Sequence, residues 1–306
     1  MSEGSAPFLS VYGHITMDQI LSVKRFPQIN ETVDVVEKNT VLGGTGTNIA
    51  VTAAKLGVPT AICAFVGQDF SPNYEGFMRG SGLIMDDFVK VSQYETSQCV
   101  ILNNAEMEQK VVFYQGPQGC ASKLGMDLLG CASKSKYVHF CTGEPAYYIS
   151  LMKKLSGKGI HIAVDPAQEV YKMWSKESLS GAFDQCDALF CNDYEAKVIE
   201  KYLGIGDVLS INLPVVVRTL GENGSIAKVD GKLYEIPTIK AGKVADPTGA
   251  GDAYRAGYYA GLYRGYNPVD SLTIASAVSS FVVEKVGALT NTPTWDQVME
   301  RADKYL

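Results

Sequence analysis

Short apolar runs alternate with amphipathic stretches along most of this chain. Phe8–Tyr12, Ala61–Val66, Tyr137–Cys141, Ile160–Val164, Ala188–Cys191 and Val215–Arg218 are short and mostly apolar, as buried strands are. Between them fall segments with a helical period: Thr47–Leu56, stopped by Gly57, one near Asn73–Arg79, Ala146–Leu155, and Tyr194–Leu203, ended by Gly204. This alternation predicts an α/β fold with a mostly parallel sheet covered by helices. Ser225–Val229 and Lys232–Ile236 flank Asp230-Gly231, a pair suited to the positive φ angles of a tight hairpin. Helices then dominate, over Ala253–Tyr263, Ser271–Lys285 and Thr294–Leu306.

Two regions break the alternation. Ile20–Val41 and Thr96–Gln115 read as extended, with apolar and polar residues in turn and an Asn103-Asn104 turn. Strands without intervening helices do not belong in a doubly wound sheet. They predict a small antiparallel appendage made of two separated pieces, at about 14–42 and 94–116. Such a lid covers a cleft and excludes water from it; the alternative is an edge meander with no role. With no repeats or long linkers, residues 1–306 read as one α/β domain carrying this lid.

At 306 residues and 46% hydrophobic, the chain can bury a sizeable core. Its formal net charge of −6 argues against nucleic acid or an anionic membrane as main partner. Seven cysteines, with no Cys-x-x-Cys pair, read as reduced thiols, and three scattered histidines form no metal-ligand pattern. The segment from Met1 to Pro7 does not resemble a signal peptide, and no apolar run reaches the ~18 residues that span a bilayer. These features predict a soluble cytoplasmic protein.

The candidate chemistry lies in two glycine-rich turns and an acid. Asp246-Pro247-Thr248-Gly249-Ala250-Gly251-Asp252 runs straight into the helical Ala253-Tyr254-Arg255-Ala256-Gly257. A ligand can approach the backbone of Gly249, Ala250 and Gly251 closely, and N–H groups at a helix N-terminus attract phosphate. Asp252 would repel that phosphate unless it removes a proton from a hydroxyl that attacks it. Taken alone, the two aspartates also suit a capped helix. The second turn, Gly43-Gly44-Thr45-Gly46-Thr47-Asn48, opens the Thr47–Leu56 helix. Asn48 offers one acceptor and two donors, which suits a vicinal diol. Asp18 follows the first strand, at the strand end where α/β folds place ligands. A carboxylate there can accept two sugar hydroxyls, although a solvated loop acid would look the same.

Gly43-Gly44-Thr45-Gly46-Thr47-Asn48-Ile49-Ala50, with Gly57 and Gly67 following, resembles the first signature of the ribokinase (PfkB) carbohydrate kinases. Asp246 through Gly257 resembles the second. Asn192-Asp193-Tyr194-Glu195 is similar to that family's Asn-x-x-Glu motif, and Thr219-Leu220-Gly221-Glu222-Asn223-Gly224 to its nucleotide loop. All four stand in the family's order. Gly13-His14, Thr142-Gly143-Glu144-Pro145, Asp165-Pro166-Ala167-Gln168, Ile239 to Val244, Arg255 and Asn291 to Trp295 are most similar to archaeal-type broad-specificity nucleoside kinases.

The resemblance implies a ribokinase-like three-layer αβα fold and an ATP- and Mg²⁺-dependent kinase. It makes Asp252 the base and the Gly249, Ala250 and Gly251 amides the anion hole. Asp18, Gly43, Gly44 and Asn48 would hold the sugar hydroxyls. Asn192 and Glu195 would organise Mg²⁺; Asp165, placed after a parallel strand, is a further candidate for the metal or the phosphates, or else a helix cap. Thr219, Gly221 and Gly224 would shape the ATP site, and Asp246 and Thr248 would help hold a monovalent cation, as in some members. Arg255 is either a phosphate contact or an exposed or ion-paired side chain. On the lid, Gln109, Phe113, Tyr114 and Gln115 are candidates for substrate contact or plain packing, and Lys110 for a phosphate contact. The expected reaction phosphorylates the 5′-hydroxyl of a ribonucleoside; the alternative acceptor is ribose or a related free sugar. A non-catalytic binding protein on the same fold is disfavoured by Asp252, its glycines and the Asn-x-x-Glu pair. A nicotinamide dehydrogenase is disfavoured because no G-x-G-x-x-G follows the first strand. Pairing two lids would cover their strand edges, so a homodimer through the lid is expected.

Overall fold

Side chains alternate across each strand, and that alternation splits the core into two apolar layers on either face of one sheet. The computed structural model describes residues 6–106 and 108–306. In chain order its strands are β1 (Leu9–Tyr12), β2 (Thr16–Val23), β3 (Val35–Gly43), β4 (Thr60–Gly67), β5 (Phe88–Val91), β6 (Gln98–Asn103) and β7 (Gln109–Tyr114). These are followed by β8 (Tyr137–Phe140), β9 (His161–Val164), β10 (Ala188–Asn192), β11 (Val215–Thr219), β12 (Ser225–Val229) and β13 (Lys232–Ile236). The helices are α1 (Thr45–Lys55), α2 (Pro72–Gly80), α3 (Pro145–Leu155), α4 (Val170–Met173), α5 (Lys176–Phe183), α6 (Asp193–Leu203), α7 (Ala250–Tyr263), α8 (Pro268–Val282) and α9 (Trp295–Ala302).

The large sheet has the order β13-β12-β11-β10-β9-β8-β1-β4-β5. It is parallel from β11 to β5, and β12 and β13 close one edge as the expected antiparallel hairpin. Asp230 and Gly231 have φ of 48° and 78°, as a two-residue hairpin turn requires. Leu9, Val11, Ile62, Ala64 and Val66 join the layer containing Ile49 of α1, Ala256 of α7 and Val278 of α8. Their sequence neighbours Tyr12, Ala61, Cys63 and Phe65 join the opposite layer, with Leu151 of α3, Leu179 of α5 and Ile199 of α6. The three layers follow from this division.

Strand β1 pairs with β4 on one side and β8 on the other. The chain winds outward from β1 in both directions, so β1 lies at the switch point where such sheets form a crevice at their strand carboxyl ends. The ends of β1, β8, β9 and β10 and the starts of α1 and α7 meet there.

The two irregular regions form the separate small sheet, of order β3-β2-β6-β7. β3–β2 and β6–β7 are antiparallel, and the two pairs join through one parallel contact, Gln19 to Ser22 beside Val100 to Asn103. The expected turn begins at Asn104, whose side chain accepts the Glu108 N–H at 2.8 Å. β5, α4 and α5 are elements that apolar periodicity does not mark, because each is short and packs with only part of a turn or one strand face inward. α8 starts and ends three residues earlier than its apolar pattern suggests: Asn267 caps it, accepting from Asp270 N at 3.0 Å, and Pro268 suits the first turn. Among the described residues no helix is long and apolar enough to cross a membrane.

Candidate active site

The two glycine turns, far apart in sequence, meet through their polar side chains. Asn48 Nδ2 donates to Asp252 Oδ2 at 2.8 Å. Asn48 sits in the first turns of α1, and Asp252 is in the first turn of α7. The other Asn48 atom, Oδ1, is buried without a partner, as is Asp18 Oδ1. Gly43 lies against Asp18: a Cβ there would collide with Asp18 Oδ2 and stand 3.0 Å from Thr16 Oγ1. Gly44 has φ 93°, and a Cβ on it would run into the His14 carbonyl. Gly43 and Gly44 therefore bring α1 hard against the end of β1. Asp18 Oδ1 and Asn48 Oδ1 are thus buried acceptors without partners, suited to hydroxyl donors.

The α7 turn presents donors. Gly249 takes φ 77° and opens the helix without a side-chain cap. Ala250 N–H is spent on the Pro247 carbonyl at 3.1 Å, so that amide is not free as expected. Among the described residues no acceptor meets the N–H groups of Gly249, Gly251 and Asp252. These amides point out at the positive end of the helix dipole. Burial pushes the Asp252 carboxyl up to about 6, against the pull of the Asn48 N–H and the Arg255 charge. Burial also raises Asp18. Asp246 closes the turn from behind, its two oxygens accepting N–H from Thr248 and Gly287, both at 2.9 Å.

Asn192 and Glu195 form a capping box at the start of α6. Glu195 N donates to Asn192 Oδ1 at 2.8 Å, and Asn192 N to Glu195 Oε2 at 2.7 Å. Glu195 is buried, and that burial, with Asp165 and Asp252 nearby, pushes its carboxyl up to about 7. Asn192 faces Thr219 across β10 and β11, so the two nucleotide motifs are adjacent. Gly221 has φ 60° with open space around it, whereas at Gly224 a Cβ would collide with the Ile236 carbonyl. Gly221 thus leaves room above the turn and Gly224 shapes it. Asp165 is committed elsewhere: its Oδ2 accepts from Arg255 Nε at 2.8 Å, which makes Arg255 the ion-paired side chain of the two expected alternatives. Among the described residues no three His, Cys, Asp or Glu side chains gather closely enough to hold a metal ion. Mg²⁺ is often held by one or two carboxylates plus substrate phosphates and water, and the oxygen donors Asn192 and Glu195 fit that habit.

Alternation places Asp18, Cys99 and Phe113 in one row across β2, β6 and β7, on the face toward the core. Phe113 meets His14 edge-on at 5.2 Å, and Lys172 Nζ lies 4.7 Å from its ring. Gln115 donates to Glu169 Oε1 at 2.7 Å. Tyr114 and Lys110 fall on the opposite face, and Lys110 rests over Phe26 at 4.7 Å, so alternation removes Lys110 from the phosphate side. Glu169 is a residue that sequence reasoning misses. It is buried, accepts Gly143 N–H at 2.8 Å and stands 3.9 Å from His14, through contacts that no local pattern announces.

A doubly wound sheet with its switch point at β1, an uncapped helix N-terminus and the half-buried Asp252 come together at this end of the sheet. The model of the pfkB family carbohydrate kinases matches residues 6–295, and the chain belongs to that family. It is 33% identical over 305 residues to a nucleoside kinase of Methanocaldococcus jannaschii, covering 99% of each. The crystal structure of the M. jannaschii nucleoside kinase, described as an archaeal member of the ribokinase family, superposes with a TM-score of 0.88 at 32% identity, covering 98% of this chain and 100% of that one. A ribokinase of Lactococcus lactis is 26% identical, with 95% of each chain covered. The chain is an ATP-dependent kinase with a ribokinase-like fold, acting on nucleosides or sugars.

Proposed function

We propose that this kinase transfers the γ-phosphoryl group of ATP to the 5′-hydroxyl of a ribonucleoside, with Asp252 as base. The observation that carries the reading is the 2.8 Å hydrogen bond from Asn48 to Asp252, which puts the diol-type and phosphate-type turns in one crevice. Asp18, Asn48 and the backbone of Gly43 and Gly44 hold the ribose hydroxyls, whose donors answer the unpartnered Asp18 Oδ1 and Asn48 Oδ1. Asp252 takes the proton of the acceptor hydroxyl. Its carboxyl, at about 6, is ionised at neutral pH yet more basic than an exposed aspartate. Such a base contributes ~10²–10⁴-fold. The free amides of Gly249, Gly251 and Asp252 stabilise charge on the moving phosphoryl group, with the helix dipole behind them. Asn192 and Glu195 would hold Mg²⁺, and Thr219, Gly221 and Gly224 would form the nucleotide floor. Mg²⁺ supplies charge neutralisation on the phosphates. Asp246, whose two oxygens each accept one amide hydrogen and keep a further lone pair, would help Thr248 hold a monovalent cation.

The small sheet, at about 14–42 and 94–116, acts as the lid of a single α/β domain, its inner row of Asp18, Cys99 and Phe113 turned to the crevice. Two copies pair through exposed lid strands. The nucleoside over the free sugar follows the M. jannaschii relative. A panel of inosine, adenosine, guanosine, cytidine, ribose and fructose with a phosphate-transfer readout tests it. Nucleosides should lead, and turnover of ribose with none of the nucleosides would reverse the acceptor. In the same assay Asp252→Asn should lose ~10²–10⁴-fold in kcat while nucleoside binding by calorimetry persists.

A further inference from the structure

Behind the α7 turn lies a file of buried polar side chains that the chemistry above does not use. Arg255 is 4% exposed and Asp165 3%. Arg255 Nε donates to Asp165 Oδ2 at 2.8 Å, and Arg255 Nη1 donates to the Gly251 carbonyl at 3.2 Å. On the far side of Asp165, His139 Nε2 stands 3.7 Å from the same oxygen, and His139 Nδ1 shares a hydrogen with the Tyr259 hydroxyl at 2.8 Å. The Phe190 ring of β10 lies 5.7 Å from the guanidinium carbon. The file thus joins β8, the end of β9, β10 and a second turn of α7 to the carbonyl of Gly251.

Stability is a poor reason to keep such a pair. Desolvating two ions costs most of what their attraction returns, and packed apolar residues often serve as well in the same space. The place of the pair is more telling. Gly249 is the N-cap of α7, with no side-chain cap, and Gly251 lies in the first turn; Ala250 N–H is tied to the Pro247 carbonyl and Ser279 Oγ donates to the Ala250 carbonyl at 2.9 Å, which leaves the Gly251 carbonyl to Arg255. Arg255, one turn on, reaches back over Gly251, and Asp165, just past the end of the central strand β9, anchors the guanidinium. Donors aimed at developing charge have to be held within a fraction of an ångström.

We propose that Arg255, anchored by Asp165, is a positioning residue whose grip on the Gly251 carbonyl fixes the first turn of α7, and with it the anion-hole amides and Asp252. This rests on the reading of Asp252 as base. Facing Asp252 are Asn48 of α1, Arg255 of its own helix, Asp165, Glu195 of α6 and the Cys141 thiol after β8. Arg255 is the cation in that group. It holds the Asp252 carboxyl lower, while Asp165 pushes it up.

Four variants test the proposal by steady-state kinetics, pH–rate profiles and thermal melting: Arg255→Lys, Arg255→Met, the double variant Arg255→Met/Asp165→Leu, and Asp252→Asn. Arg255→Lys and Arg255→Met should each lose about 10²-fold in kcat with little change in acceptor KM. The acid limb of the profile should move up by about one pH unit in Arg255→Met, where the charge is gone, and stay in place in Arg255→Lys. The double variant should melt no lower than Arg255→Met and keep its deficit of about 10²-fold in kcat, with its acid limb back toward the wild type. Wild-type kcat in the double variant, or in Arg255→Met with an unmoved limb, would overturn the proposal. If Arg255→Met does not fold, Arg255→Lys and the double variant decide by the same kcat criterion. Full turnover in Asp252→Asn would instead overturn the base assignment, and leaves the Arg255 comparison readable in its own right.

Discussion

Asp252 is a carboxylate placed where its charge is costly, and its neighbours set how costly. Burial drives its carboxyl from 3.8 to about 6, and the Asn48 N–H and Arg255 restrain the rise. A base works unprotonated, so activity is lost as pH falls through that value and not as it rises. The kcat/KM for the acceptor should therefore be level near neutrality and drop about tenfold per pH unit below about 6. A profile flat down to pH 4 would mean that Asp252 titrates like an exposed acid, without the rise that burial causes. Asp252 and Asn48 are legible in the sequence because each stands in a glycine-rich turn. Glu169 and the Asp165–Arg255 pairing are not, since their partners lie 26 or more residues away along the chain.

Helices α1 and α7 do the site's work at their first turns, and both begin on glycines that a side chain would spoil. At Gly249 the backbone has φ 77°, and a Cβ would run into Ala288. Gly249→Ala should cost about 2–4 kcal/mol in urea unfolding, from left-handed backbone strain plus overpacking. Gly76, inside α2 with nothing within 4 Å of a Cβ, is the control. Gly76→Ala should gain roughly 0.5–1 kcal/mol. Equal effects at the two positions would remove the close approach of α7 to the loop at Ala288 as the reason for Gly249. Helix α7 also packs tightly on α8, where a Cβ on Gly257 would stand 2.7 Å from Ala275 Cα. Strand and helix positions are readable from periodicity, but the true start of α7 at Ala250 is not, because its first turn is made of turn residues rather than apolar ones.

At the scale of the molecule, the small sheet leaves two edges and apolar side chains in water. Val36 of β3 is 64% exposed and Val112 of β7 66%. Unpaired edges with exposed valines invite a second copy. Sedimentation at micromolar concentration should show a dimer, and Val112→Lys should shift it toward monomer with the large sheet intact by circular dichroism. A wild-type monomer at all concentrations would dismiss the pairing. The parallel join between β2 and β6 brings together segments separated by α1, β4, α2 and β5. Local pattern can mark each piece as extended but carries no information on which edge meets which. The sequence alone determined the α/β class, the extended segments of the small sheet and the two glycine turns, because backbone propensity, side-chain alternation and turn chemistry are local. Only the tertiary structure decided that Asn48 reaches Asp252, that Asp165 serves Arg255, and that Lys110 faces away. Those outcomes depend on distances closed by the winding of the sheet, which no run of neighbouring residues encodes.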